Sequence, residues 1–180
     1  MSQTIENPNK ELETTADRYS ALIESALTLT LATVDQTQMP QASYVPFVRD
    51  AAGNYFVYVS DLSSHTANLI RSQKASVMII EDEATASHLF ARKRVNFECR
   101  ARELARETPE FEAAAALLCE RFPEMFPGML EMLDFHVIEL KPLGGRLVLG
   151  FGQAYDVSGE RMSEIKHVGG SGQGHTRAPK

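Results

Sequence analysis

Short apolar segments of period two, separated by turn-forming residues, run through most of this chain and leave it few folds. Residues 27–34 (LTLTLATV) alternate large apolar with small polar side chains, and residues 41–48 and 54–60 continue in the same style. The polar loop at 35–40 (DQTQMP) and the turn at 50–53 (DAAG) divide them, as hairpin connections do. Residues 75–80 (ASVMII) are too few for a typical helix and read as a buried strand. Residues 92–106 read as a long strand in which Val95, Phe97, Cys99 and Ala101 share a face. The last strands fall at 135–140 (FHVIEL) and 146–151 (RLVLGF), with a turn at 141–145 (KPLGG) between them. About seven strands in consecutive antiparallel style bury their faces and remove their edges most economically by closing into a barrel.

Helical patterning is confined to the start and to the gaps between strands. From residue 7 to about 27, Leu12, Tyr19, Leu22, Ile23 and Ala26 recur at helical steps, with Pro8 suited to the first turn. Ser63 or Ser64 caps a short helix carrying Ala67, Leu69 and Ile70. Thr108, Pro109 and Glu110 open another that runs to residue 122, and Pro123, Pro127 and Gly128 leave room for one helical turn at 130–133. The fold class is therefore mainly β with flanking helices. Residues 1–157 form the domain, and 158–180, rich in glycine with few large apolar side chains, read as a flexible tail.

The formal charge of −6 argues against a general nucleic-acid binder. Cys99 and Cys119 show neither metal-ligand nor disulfide spacing, no segment is long and apolar enough to span a bilayer, and the polar start resembles no targeting peptide. A reducing cytoplasm is the expected compartment, with neither membrane nor nucleic acid as partner.

Three groups of residues stand out chemically. Arg92, Lys93 and Arg94 are adjacent cations; they read either as a solvated edge strand or as a dock for a carboxylate or phosphate, which arginine grips bidentately. His167 and His175 lie in the tail, where an extended glycine-rich arm of ~60 Å from residue 157 could carry an imidazole to a distant metal. Asp134 and His136 flank Phe135 at a strand entrance: Asp134 either ends the preceding turn or orients an imidazole, and His136 reads as a structural histidine with its partners satisfied. The G-F-G-Q at 150–153 lacks the setting of a dinucleotide fingerprint, no phosphate-binding P-loop occurs, and Ser60 and Ser63 have no triad partners at informative spacing.

Taken in order, LTLATVD, PQASYVPFV, YFVYVS, SSHTANL, ASVMIIED, LFARKRVNFE, DFHVIELKP and LVLGFGQAY resemble the heme-utilisation proteins of the HutZ/HugZ type, within the pyridoxamine 5′-phosphate oxidase-like, FMN-binding split-barrel superfamily. The resemblance covers about residues 27–155. It implies an antiparallel split β-barrel that is homodimeric, with heme at or near the subunit interface. The family's axial histidine in a Gly-His element matches Gly174-His175, its aspartate before the late strand matches Asp134, and the first arginine of its FARKR segment matches Arg92. By this resemblance His175 ligates iron, Asp134 hydrogen-bonds that imidazole across the dimer, and Arg92 pairs with a propionate. His65 matches a family histidine and takes an interface role. Thr176 stands where members often have Arg, and the glycine-rich tail is longer. The implied activity is oxidative opening of the heme ring with iron release, by an unidentified electron donor. The alternatives are an FMN-binding oxidoreductase of the same superfamily and a non-catalytic heme carrier or store.

Overall fold

A computed structural model describes residues 8–169, with side chains from Thr15 onward. Helix α1 (Pro8–Ser25) leads into β1 (Thr28–Val34), β2 (Pro40–Arg49) and β3 (Tyr55–Ser60). Helix α2 (Ser64–Ser72) and strands β4 (Lys74–Ile80) and β5 (Arg94–Leu104) follow. Helices α3 (Pro109–Arg121) and α4 (Phe126–Met129) precede the long β6 (Phe135–Gly150), then β7 (Gln153–Ser158) and β8 (Glu164–His167). The sheet runs β3-β2-β1-β4-β5-β6-β7-β8, and β3 also pairs with β6. That pairing closes six antiparallel strands into the expected barrel, with β7 and β8 extending the sheet beyond it.

Alternation decides which side chains fill the interior. Leu29 and Leu31 of β1, Val57 and Val59 of β3 and Val95 and Phe97 of β5 all point inward and lie almost wholly out of water. Tyr19, Leu22 and Ile23 of α1 join the same cluster, the Tyr19 ring meeting Phe97 edge-on at 6.5 Å. A second cluster lies outside the barrel wall, where Phe56 and Tyr58 of β3 and Val137 of β6 pack against Phe111, Leu118 and Phe126. Every large side chain of β3 is therefore buried, inward on the barrel and outward under α3 and α4.

The structure differs from the sequence reading in four places. Residues 141–145 are not a turn but the middle of β6. A side chain at Gly145 would come within 2.5 Å of the Asn96 carbonyl and 2.6 Å of the Phe97 ring, so this glycine serves close strand approach. Pro142 sits at a bulge, since β6 carries an extra residue, Leu143, between the Glu98–Gly144 and Cys99–Pro142 pairs, a setting in which proline occurs in strands. Arg92 and Lys93 precede β5 rather than lying in it, since a short 3₁₀ turn (Leu89–Ala91) occupies the approach. The last helical turn forms at Phe126–Met129, not at 130–133, because Phe126 is buried and Pro127 fits the first turn. Finally, residues 160–167, read as part of the tail, form a 3₁₀ turn (Glu160–Met162) and β8. Met162 is buried and Ile165 packs on the core, so two apolar side chains and the free edge of β7 hold this segment.

Candidate functional site

The long strand β6 has a different chemical cluster at each end. At its entrance, Asp134 sits exposed, its Oδ2 accepting a hydrogen bond from the Ser60 hydroxyl at 3.3 Å while its carbonyl accepts the Asp61 N–H at 2.9 Å. Among the described residues its carboxylate takes no other hydrogen bond from a side chain, which leaves it open to a further donor. Two residues on, the His136 ring lies 2.6 Å (Nδ1) from Glu103 Oε1 and 2.8 Å (Nε2) from Asp61 Oδ1. Burial works against the imidazolium there, but hydrogen bonds and charge from Glu103 and Asp61 outweigh it and raise the His136 pKa. His65, one residue into α2, behaves oppositely: half-buried with no carboxylate at its ring, it has its pKa lowered by desolvation. The two histidines are thus biased oppositely, His136 toward the cation and His65 toward the neutral ring.

Beneath this cluster Arg106 ties the chain together, its guanidinium donating to the carbonyls of Leu130 and Phe135 at 2.9 and 3.0 Å and to that of Met132. The Tyr58 hydroxyl donates to the Met129 carbonyl, also at 2.9 Å. These bonds fix the approach of the chain to Asp134.

The exit of β6 carries the other sequence-predicted residues. Arg94 pairs with Val148 in the β5–β6 ladder, which sets the cationic segment beside this end. The Arg92 guanidinium donates to the Glu81 carbonyl and pairs with Glu83 at 3.5 Å, while Lys93 pairs with Glu81 at 3.6 Å. Glu83 is largely exposed and its contact is long, so it holds Arg92 weakly. The His88 ring sits 6.1 Å from Phe90 and 5.9 Å from Phe151, and Leu89, Phe90 and Phe151 are exposed apolar side chains. His167 stands edge-on to Tyr155, with Nε2 3.2 Å from the Gly152 carbonyl.

His175 lies outside the described residues, but its anchor does not. The Val168 N–H donates to the Ala154 carbonyl at 2.8 Å, so the last described residues sit near the exit of β6. Six residues from Gly169 to His175 span at most ~20 Å, against the ~60 Å available to an arm free from residue 157. Asp134 lies just before the start of β6, whereas that anchor lies beside Val148 near its end, where Ala154 pairs. The structure therefore places Asp134 and His136 at the entrance of β6, and Arg92 and His167 near its exit.

Asp61 and Glu103 were not singled out from sequence, and Ser60 was weighed only as a triad serine and set aside. Their only signal was acidity or a hydroxyl near a strand end, since 75 and 33 residues separate His136 from its two partners. Among the described residues no three His, Cys, Asp or Glu side chains converge as a metal site, and no helix is long and apolar enough to cross a membrane.

Comparison with known proteins reaches the same frame. Residues 15–149 match the pyridoxamine 5′-phosphate oxidase family. Over 141 residues, 78% of this chain and 80% of the relative, the sequence is 42% identical to the heme oxygenase HutZ of Vibrio cholerae. This chain is a HutZ-type member of the pyridoxamine 5′-phosphate oxidase family. A crystal structure of Vibrio cholerae HutZ, there described as a heme storage protein, matches with a TM-score of 0.70 at 36% identity, covering 73% of this chain and 93% of that one. Campylobacter jejuni ChuZ matches with a TM-score of 0.81 at 28% identity, over 98% of this chain and 68% of that one. The likeness to ChuZ thus takes in β7 and β8, and the two descriptions of HutZ, oxygenase and store, frame the functional question.

Proposed function

We propose that this protein binds heme between two copies of the chain, with His175 of one copy as axial ligand and Asp134 of the other as that imidazole's hydrogen-bond acceptor, and that it opens the heme ring oxidatively. The observation that carries the reading is the 42% identity to a heme oxygenase over most of the chain. Two features of the site fit a heme. Asp134 offers an exposed carboxylate with spare acceptor capacity, as a donor imidazole requires. Arg92 is anchored on the Glu81 carbonyl, and its longer pairing with the exposed Glu83 is one that a propionate can displace.

The placement of the two groups fits a pairing between copies. The anchor of the arm stands near the exit of β6 and Asp134 at its entrance, which fits an arm that serves the partner copy rather than its own. A two-fold arrangement that set the exit of one β6 against the entrance of the other would make two equivalent sites. The outer face of the sheet is open to such a partner. One cross-strand row there runs Tyr44, Thr30, Met78, Asn96, of which Tyr44 is exposed and the others are part-exposed.

Bound heme supplies the iron at which dioxygen is activated and the macrocycle that is opened. The chain's own residues ligate, orient and pair charge. Asp134 accepts the N–H of the ligating imidazole, fixes its tautomer and raises its basicity. Arg92 neutralises a propionate and takes no part in proton transfer.

The deciding experiment is hemin titration of wild type and His175→Ala, followed by a reductant under air. Wild type is expected to give a histidine-ligated Soret band that bleaches after reduction, and His175→Ala to lose that ligation. An unchanged spectrum in the variant moves the ligand elsewhere. A stable band after reduction makes the protein a carrier or store. Family membership gives the FMN reading its support, with Arg92 to Arg94 on the phosphate. A protein that purifies yellow and ignores hemin decides for that reading.

A further inference from the structure

His136 occupies an unusual place for a strand histidine. Its ring joins three separate pieces of chain: Asp61 from the turn after β3, Glu103 from the end of β5, and its own strand β6. The same turn contacts Asp134 twice, through the Asp61 N–H to the Asp134 carbonyl and the Ser60 hydroxyl to the Asp134 carboxylate. A side chain that pins Asp61 therefore pins what holds Asp134.

We propose that His136 is a positioning residue, a bridge between Asp61 and Glu103 that sets the geometry of Asp134 and opens when the ring loses its second N–H. The functional part of this rests on the reading of Asp134 as acceptor for the ligating imidazole. The bridge itself rests only on distances within this chain.

The charge count explains why the bridge has two states. An imidazolium donates from both nitrogens, so both carboxylates are satisfied. A neutral ring has one N–H; it serves one carboxylate and turns a lone pair toward the other at under 3 Å, which is repulsive. The other charged groups around it are Asp134, two residues away, the Arg102–Glu139 pair on β5 and β6 at 2.8 Å, and Arg106 on the Phe135 carbonyl. Two carboxylates on the ring outweigh the desolvation of a largely covered side chain, so its pKa stands above the ordinary value of about 6.5. The bridge is therefore fully made below about pH 6.5 and is lost as pH rises through the raised folded value.

The test uses the full chain without added heme first. An NMR titration assigns the His136 ring by its loss in His136→Gln, and amide exchange follows the protection of the Asp61 N–H across the same pH range. The expected result is titration above the ordinary histidine value, with Asp61 protection falling roughly tenfold through it in wild type and pH-independent in His136→Gln. Glu103→Gln, which keeps an acceptor and removes a charge, is expected to lower the His136 pKa. Titration at or below the ordinary value, or protection that ignores it, overturns the bridge. With hemin and reductant, the alkaline limb of the turnover profile is expected to shift in His136→Gln; an unmoved limb overturns the positioning role. Failure of wild type to bind hemin would instead sink the heme reading, while the apo titration and exchange still decide the bridge.

Discussion

Tyr19 and Tyr55 place two phenols inside or against an apolar barrel, and neither hydroxyl has a hydrogen-bond partner among the described residues. Burial pushes the Tyr19 hydroxyl up to about 12 despite the charge of Arg49, and raises Tyr55 further. An unsatisfied buried hydroxyl costs about 1–3 kcal/mol. Tyr55→Phe is therefore expected to leave stability unchanged or raise it by up to about that amount, read as the urea midpoint at constant m-value. A clear loss would mean the hydroxyl has a partner, such as a buried water. Sequence periodicity placed Tyr19 in the core but carried no sign of this, because an aromatic ring satisfies the pattern whether or not its oxygen is bonded. The same limit applies at the site. Asp134 and His136 were legible as a pair at a strand entrance, whereas Asp61 and Glu103 reach the ring only through strand pairing, which spacing along the chain does not encode.

At the scale of elements, the strands whose patterning was plain formed as read, and the departures occurred where one residue type serves two purposes. Gly144 and Gly145 follow a proline and look like a turn. In the barrel Gly145 instead lets β6 pass close to Asn96 and Phe97. The segment after Ser158 looked too polar to fold, yet a lone methionine and isoleucine suffice when a sheet edge already offers hydrogen bonds. Met162→Ala is expected to cost about 2 kcal/mol and to free β8 from β7. Thermal denaturation together with amide exchange at residues 164–167 would check both parts. Normal protection in the variant would show that the edge hydrogen bonds alone hold the strand.

The arrangement of the whole assembly can be tested by mixing defects. Asp134→Asn is expected to keep heme and slow its breakdown, and His175→Ala to lose ligation. If each site draws its histidine and aspartate from different copies, a co-refolded equal mixture contains mixed dimers with one intact site. About a quarter of all sites then recover. If both residues come from the same copy, mixing restores none, and single-turnover bleaching separates the two outcomes. The closing contact of the barrel has a consequence for how the molecule is made. Strand β3 meets its second neighbour only in β6, about 75–85 residues later. Until that strand emerges from the ribosome, the nascent sheet exposes two unpaired apolar borders, open to any passing β-rich polypeptide. Synthesis arrested before residue 135 should therefore yield aggregates or chaperone-bound fragments, and the vulnerable interval ends only when one late strand seals both borders.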